Sequence, residues 1–434
     1  MNGRGGSVNG AGFVDAACVR YYRTIRADVP ASAAQIGFGV NKTAPAPTVR
    51  RWLTALYAQL FHERVTDYST PDDVRERALV AELAGRYLGV PGLDPDAVHF
   101  CNGTTEAISI VYGFAAQRGL GTVLPLPLYC SFEQSAARYG VPVVAYYNAS
   151  GHASPPGYAA GPLLVVDIAP NGVAGSWFDL PTVAGEPELR VVDHVFALPT
   201  YQPRAEFLAN LRRRIGGDLS KTAVFLTPSK DLSIPGLRCG TIITGHPGLR
   251  AYAGADRFER GYTTQVGTAR IAAVHLALLL VAFAEPGSHP AVWAELREAF
   301  TAAGLAFPGE RDCLAYLAHL AGMRRRFVEN IGQIDRAGFL APLGGTQVAG
   351  YSGFRTVEAA PDPAAFTGWI HSAGRSGLKL NPNFLFGGDP RLWEALYPGC
   401  RGIRVNVSVH PEQLAIDLAT LRKLLDSENI DGLR

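Results

Sequence analysis

The chain has 434 residues, 47% of them hydrophobic and 18% charged, enough for a large domain and a smaller one. Its formal net charge of +2 makes no electrostatic case for nucleic acid or an anionic membrane as partner. Six cysteines with no CxxC pair, in a chain this long, read as free thiols in a reducing compartment and not as a disulfide frame or metal site. The start, MNGRGGSVNGAG, lacks the apolar run of a signal peptide. The most continuously apolar stretch, between Arg270 and Glu285, is too short to span a bilayer and reads as a buried helix. The expectation is a soluble, cytoplasmic protein. Lysines are scarce: Lys42, Lys221, Lys230, Lys379 and Lys423 are the full set among 40 basic residues.

In chain order, a loose Gly/Asn-rich start is followed by a short helix within 13–35. Pro45 to Thr48 punctuates the chain, and Thr48 is placed to cap a helix carrying Trp52, Leu53, Leu56, Leu60 and Phe61 at helical spacing. Pro71-Asp72-Asp73 starts another helix, with Val74, Ala78 and Ala81 on one face. Seven short apolar runs follow, at 98–100, 122–124, 143–145, 163–168, 189–192, 223–226 and 240–244. With helices between some of them, they predict a mainly parallel seven-stranded α/β sheet. After a helix at 265–284, the 285–310 stretch looks like an insertion that could cover a site. The tail from about 325 reads as a small α+β unit, with an extended stretch at 378–386, a strand at 403–409 and a closing helix after Pro411. The expected division is an N-terminal arm with part of the small domain (1–70), a large domain (71–324) and a C-terminal small domain (325–434).

The segment richest in chemistry is Thr227-Pro228-Ser229-Lys230, followed by Pro235-Gly236-Leu237-Arg238. It begins where a strand ends, the edge at which α/β sheets place ligands. A lysine there can condense with an aldehyde, and Thr227, Ser229 and Arg238 offer hydroxyls and a guanidinium fork suited to phosphate. Upstream, Gly103-Thr104-Thr105 opens a helix whose N-terminus suits an anion. Asp193, at another strand end, could keep a pyridine nitrogen protonated, and Tyr129 could stack on a flat ring. Taken singly, each has an ordinary reading: a solvated lysine, a glycine turn, a turn aspartate, a core tyrosine.

Together and in this order, these elements resemble the class I/II aminotransferases of fold type I, over most of the chain. The resemblance implies pyridoxal 5'-phosphate as cofactor. It implies Lys230 as the Schiff-base lysine and Asp193 as the ring-nitrogen partner. Gly103, Thr104, Thr105, Thr227, Ser229 and Arg238 would lie around the phosphate, with Tyr129 stacked on the ring. Pro170-Asn171-Gly172 is an altered form of the family's Asn-Pro-x-Gly element and puts Asn171 near the ring's phenolic oxygen. Arg404, in Gly402-Ile403-Arg404, matches the arginine that binds the substrate carboxylate. Tyr68 matches the tyrosine that reaches a partner subunit's phosphate, which implies a homodimer with shared sites. No metal is implied.

Two departures touch the phenolic-oxygen side. Phe196 stands where the family has a tyrosine three residues after the aspartate, and the Asn171 loop lacks its proline and is one residue longer. Tyr201 and His194 are the nearby side chains that could replace the missing hydroxyl. Transamination of an α-amino acid is the leading expectation. The alternative is a non-transaminating relative that eliminates a β- or γ-substituent, forms a carbon–carbon bond, cyclises an amino acid such as S-adenosylmethionine, or oxidises one. A regulator fusing this fold to a DNA-binding module would need a helix-turn-helix ahead of it, and the roughly 35 residues there show no such pattern.

Overall fold

All seven apolar runs form strands, because residues buried on both faces of a sheet need no polar alternation. In the computed structural model, residues 36–37, 39–63, 74–155, 161–183, 186–260, 267–358 and 363–431 are described. The strands are β1 (Val98–Cys101), β2 (Gly121–Pro125), β3 (Val143–Tyr147), β4 (Ala153–Ser154), β5 (Leu163–Ile168), β6 (Leu189–His194), β7 (Thr222–Leu226) and β8 (Gly240–Thr244). They lie in the order β1-β8-β7-β6-β5-β2-β3-β4. The eighth strand, β4, is a two-residue return antiparallel to β3, too short to register as an apolar run.

Besides β4, one strand runs against the rest, and it matters for the site. β8 is antiparallel to both β7 and β1, with Leu226 opposite Thr241 and Cys101 opposite Gly240. The start of β8 therefore meets the ends of β1 and β7. Two loops, the one after Cys101 and the one that joins Leu226 to Gly240, are drawn to one edge. β5 and β6 end at the same edge, with Ile168 opposite Asp193 and Asp193 opposite Phe225.

The second sheet is antiparallel, ordered β11-β12-β10-β9. Its strands are β9 (Leu340–Pro342), β10 (Ser352–Val357), β11 (Asn381–Pro382) and β12 (Gly402–Asn406). Ile36, from the N-terminal arm, is buried in its core with Trp369, Ile403 and Leu421. Residue 325 falls inside the helix Glu310–Arg336. The first turns of that helix bury Cys313 and Tyr316 in a core of the large sheet, and its later turns bury Met323, Phe327 and Ile334 in that of the small sheet. The handover between the two cores takes place along this helix.

Some local expectations differ from the structure. The helix Pro47–Glu63 begins one residue before Thr48, whose buried hydroxyl donates to the Asp312 carbonyl (3.0 Å) and does not cap. Val74 is exposed, while Leu79, Val80, Leu83 and Tyr87 form the buried face of its helix. The 285–310 stretch holds the helix His289–Ala302, whose Trp293 and Phe300 pack against Trp52 at ring separations of 6.1 and 5.0 Å. That face belongs to the core under the 47–63 helix. The expected helix within 13–35, Tyr68 and Pro71 to Asp73 lie outside the described residues. Among the described residues no helix is long and apolar enough to cross a membrane.

Asp167, fully buried in β5, is held by Arg214, whose Nη1 lies 2.8 Å from both carboxylate oxygens. Removing one partner of such a pair leaves a buried charge uncompensated, which typically costs about 3–5 kcal/mol. Arg214→Met is expected to lower unfolding free energy by about that amount in urea titrations, and Arg214→Met/Asp167→Leu to recover most of it. A single-variant loss below about 1 kcal/mol, the size of an exposed pair, would contradict this assignment.

Candidate active site

Lys230 sits in the single turn Pro228–Asp231 that follows β7. Thr227 caps that turn: its Oγ1 accepts from the Ser229 amide (3.2 Å), donates to the Cys239 carbonyl (2.6 Å) and lies 2.9 Å from Ser229 Oγ. The Lys230 amine donates to the Gly39 carbonyl at 2.9 Å. Burial, then the positive charges of Arg404 and Arg238, lower its pKa to about 8. An amine so poised is uncharged far more often near neutral pH than a surface lysine, and can attack an aldehyde.

Arg238 lies at the other end of the same loop, just before β8. Its Nη2 donates to the Asn102 carbonyl (3.1 Å) and its Nη1 to the Pro235 carbonyl (3.2 Å). Gly103, at φ +84°, precedes the helix Thr104–Arg118, and a Cβ there would stand 2.6 Å from Arg238 Nη2. Glycine is required for this approach of a guanidinium to a helix N-terminus. The first-turn amides of Thr104 and Thr105 and the Arg238 fork thus lie at one corner, a combination suited to an anion.

Asp193, near the end of β6, is buried and its Oδ1 has no hydrogen-bond partner. Burial, with a further push from Asp167, raises its pKa to about 7. Tyr129 follows β2 and is 46% exposed, unusually open for a large aromatic next to a core. Asn171 is fully buried and largely committed to its own loop. Its Oδ1 accepts from the amides of Val173 (3.0 Å) and Ala174 (2.9 Å), and its Nδ2 donates to the Pro127 carbonyl (2.8 Å). Asn171 therefore ties its loop to the one carrying Tyr129, and one N–H remains for a ligand.

The small sheet supplies Arg404 on β12, whose Nε donates to the Gly37 carbonyl (3.0 Å) and whose guanidinium lies 4.9 Å from the Phe386 ring centre. A Cβ at Gly39 would touch Arg404 Nη2 at 2.8 Å. The strap around Gly37 and Gly39 thus runs between Arg404 and Lys230.

Residues not read from the sequence complete the picture. Asp231 Oδ1 accepts from the amides of Ala197 (2.9 Å) and Leu198 (3.0 Å), and its Oδ2 lies 2.9 Å from His275 Nε2. This locks the turn of Phe196 to the turn of Lys230. The Tyr351 hydroxyl donates to the same Gly39 carbonyl as Lys230, at 2.7 Å. Only the adjacency of Asp231 to Lys230 was visible beforehand. Both side chains considered as substitutes for the missing tyrosine have hydrogen-bond partners of their own, neither of them shared with Lys230. Tyr201 donates to the Gly350 carbonyl, and His194 lies 2.6 Å from the Ala169 carbonyl and 2.9 Å from the Tyr87 hydroxyl.

The chain matches no protein-family model and no curated protein sequence. Solved structures share its fold. A probable N-succinyldiaminopimelate aminotransferase from Thermus thermophilus aligns with a TM-score of 0.65 over 95% of this chain and 100% of that one, at 15% identity. An aspartate aminotransferase from Thermotoga maritima gives 0.63 over 95% and 97%, at 14% identity. An aminotransferase from Mycobacterium tuberculosis gives 0.60 over 98% of both, at 17% identity. The chain has the fold of these aminotransferases.

The residues present fit pyridoxal phosphate. Asp193 is a buried carboxylate short of a partner, which a protonated ring nitrogen would supply; the Gly103–Arg238 corner suits the phosphate; Lys230 suits the aldehyde. In the ligand-free protein a carboxylate whose folded pKa lies above its unfolded one favours folding only at low pH. Its contribution is complete below about 4 and is lost as pH rises to about 7. Relative to Asp193→Asn, the ligand-free wild type is expected to lose stability across that window, on the order of 1.4 kcal/mol per pH unit. Urea midpoints of both proteins at several pH values measure it. A difference that does not change with pH would show that Asp193 is not buried uncompensated.

Proposed function

We propose that the chain is a pyridoxal-phosphate-dependent aminotransferase acting on an α-amino acid. The observation that carries this is the unpartnered Asp193 carboxylate at the sheet edge where Lys230 and the Gly103–Arg238 corner converge. The shared fold of the aminotransferases named above supports it. When bound, pyridoxal phosphate supplies an aldehyde that captures amines and an electron-poor ring that draws electrons from the α-carbon.

The protein's own groups then have separate tasks. The Lys230 amine would hold the aldehyde carbon, and as a free amine would serve as the general base for the substrate's α-proton. Its lowered pKa keeps a useful fraction unprotonated near neutrality. Asp193 holds a proton on the ring nitrogen by charge and hydrogen bonding. Arg238 and the amides of Thr104 and Thr105 hold the phosphate, with Ser229 beside them. Tyr129 covers the ring with its exposed face. Arg404 binds the substrate carboxylate as a two-pronged donor, for which lysine would be a poor substitute. Thr227 acts mainly by shaping the lysine's turn.

The same reading makes the protein a cytoplasmic homodimer with shared sites, Tyr68 reaching the partner's phosphate. The dimer alone draws support from the structure, in the open apolar groove that Leu53, Tyr57, Phe61, Ile234 and Leu237 line next to Arg238.

The test is an accounting of products without an acceptor. Given one amino acid alone, the cofactor-loaded protein is expected to release one 2-oxo acid per site and stop. Adding a second 2-oxo acid should restart it and yield the matching amino acid. Continuous release of ammonia or of a β- or γ-leaving group, with no need of an acceptor, would replace transamination with the eliminating alternative.

A further inference from the structure

The family's tyrosine is absent at position 196, and both local substitutes are engaged elsewhere. A hydroxyl nevertheless stands beside Lys230. Tyr351, just before β10, is fully buried. It and Lys230 donate to one acceptor, the Gly39 carbonyl, at 2.7 and 2.9 Å. Those two distances put the phenol oxygen and the amine nitrogen within hydrogen-bonding range of a common partner atom. The Tyr351 ring packs on Phe196, with centres 5.4 Å apart. Phe196 in turn fills the space over Gly172, where a Cβ would stand 2.2 Å from its ring. The phenylalanine therefore occupies the tyrosine's place without a donor and backs a second aromatic that has one.

We propose that Tyr351 carries the hydroxyl missing at position 196: with pyridoxal phosphate on Lys230, it turns its one O–H from the Gly39 carbonyl, the acceptor it shares with the free Lys230 amine, and donates to the cofactor's phenolic oxygen. The inference rests on the cofactor reading above. It makes Tyr351 a residue that sets the proton affinity at the lysine-bound nitrogen, and it transfers that control from the large sheet to the small one. The charged groups facing the pair are Arg404 and Arg238 around Lys230, and Arg404 and Asp231 around Tyr351. Both arginines favour loss of a proton from their neighbours, and Tyr351 adds a directed donor to that field.

The sign of the effect follows. A donor to the ionised oxygen stabilises it and weakens its hold on the proton it shares with the lysine nitrogen. Without the donor, that proton is held to higher pH. The experiment is an absorbance titration of the cofactor-loaded protein with pH, in wild type, Tyr351→Phe, Phe196→Tyr and the double variant, with cofactor affinity and thermal unfolding recorded alongside. Tyr351→Phe is expected to raise the titration midpoint by roughly one pH unit, a tenfold change in proton affinity and the size of one hydrogen bond to a charged oxygen. Adding Phe196→Tyr to it should bring the midpoint back toward wild type, a rescue that a purely structural role would not give. An unchanged midpoint in folded Tyr351→Phe, or a shift that Phe196→Tyr fails to reverse, overturns the inference alone. A wild type that shows no cofactor absorbance overturns it together with the cofactor reading.

Discussion

A carboxylate buried without a full set of partners is costly, and Asp193 is such a group. The fold sustains it because β6 is central in the sheet, with β5 and β7 on either side and apolar layers above and below. Its neighbour Asp167 is neutralised by Arg214, but no cation plays that part for the Asp193 Oδ1 among the described contacts. The site is thus built around an incomplete interaction, one that under the proposed function a protonated heterocycle would complete. Removing the incompleteness would stabilise the empty protein and weaken its hold on the ring, a familiar trade between stability and function.

The reversal of β8 decides where the Gly103–Arg238 corner lies. Had it run parallel, its start would lie at the opposite edge, and Arg238 could not reach Gly103 while Lys230 follows β7 so closely. One antiparallel strand lets eight residues connect the lysine to its arginine. The small sheet then adds what the large one lacks. At the strap it brings Arg404 to the Gly37 carbonyl and Tyr351 to the Gly39 carbonyl that Lys230 also uses. Gly37 and Gly39 are glycines for packing reasons: a Cβ at the first would meet backbone of Leu380 and Asn381, and at the second the Arg404 guanidinium. A strap this close couples any shift of the small sheet to the lysine.

The parts of the site that were legible in the sequence are those carried by short local patterns. Lys230 and Arg238 share a loop, Gly103 opens a helix directly after a strand, and Asp193 ends an apolar run. Strand positions were legible for the same reason. The strap and Tyr351 were not, because their proximity to Lys230 spans 191 residues in one case, and in the other Tyr351 and Gly39 lie 312 apart. No period or motif records such a meeting. Phe196 was visible as a departure, but the ring packed on it was not: Tyr351 lies 155 residues further on, just before β10. Thr48 and Val74 were misplaced because capping and periodicity could not anticipate the Asp312 carbonyl or the packing of the second helix.

The central claim is that Lys230 is the residue that bonds the cofactor. Borohydride reduction of the pyridoxal-phosphate-loaded protein, followed by digestion and mass spectrometry of the labelled peptide, addresses it directly. The account predicts one cofactor mass per chain, on Lys230, with Lys221 and the other three lysines unmodified at stoichiometric loading. Label on Lys221, or spread over several lysines with Lys230 untouched, would contradict it.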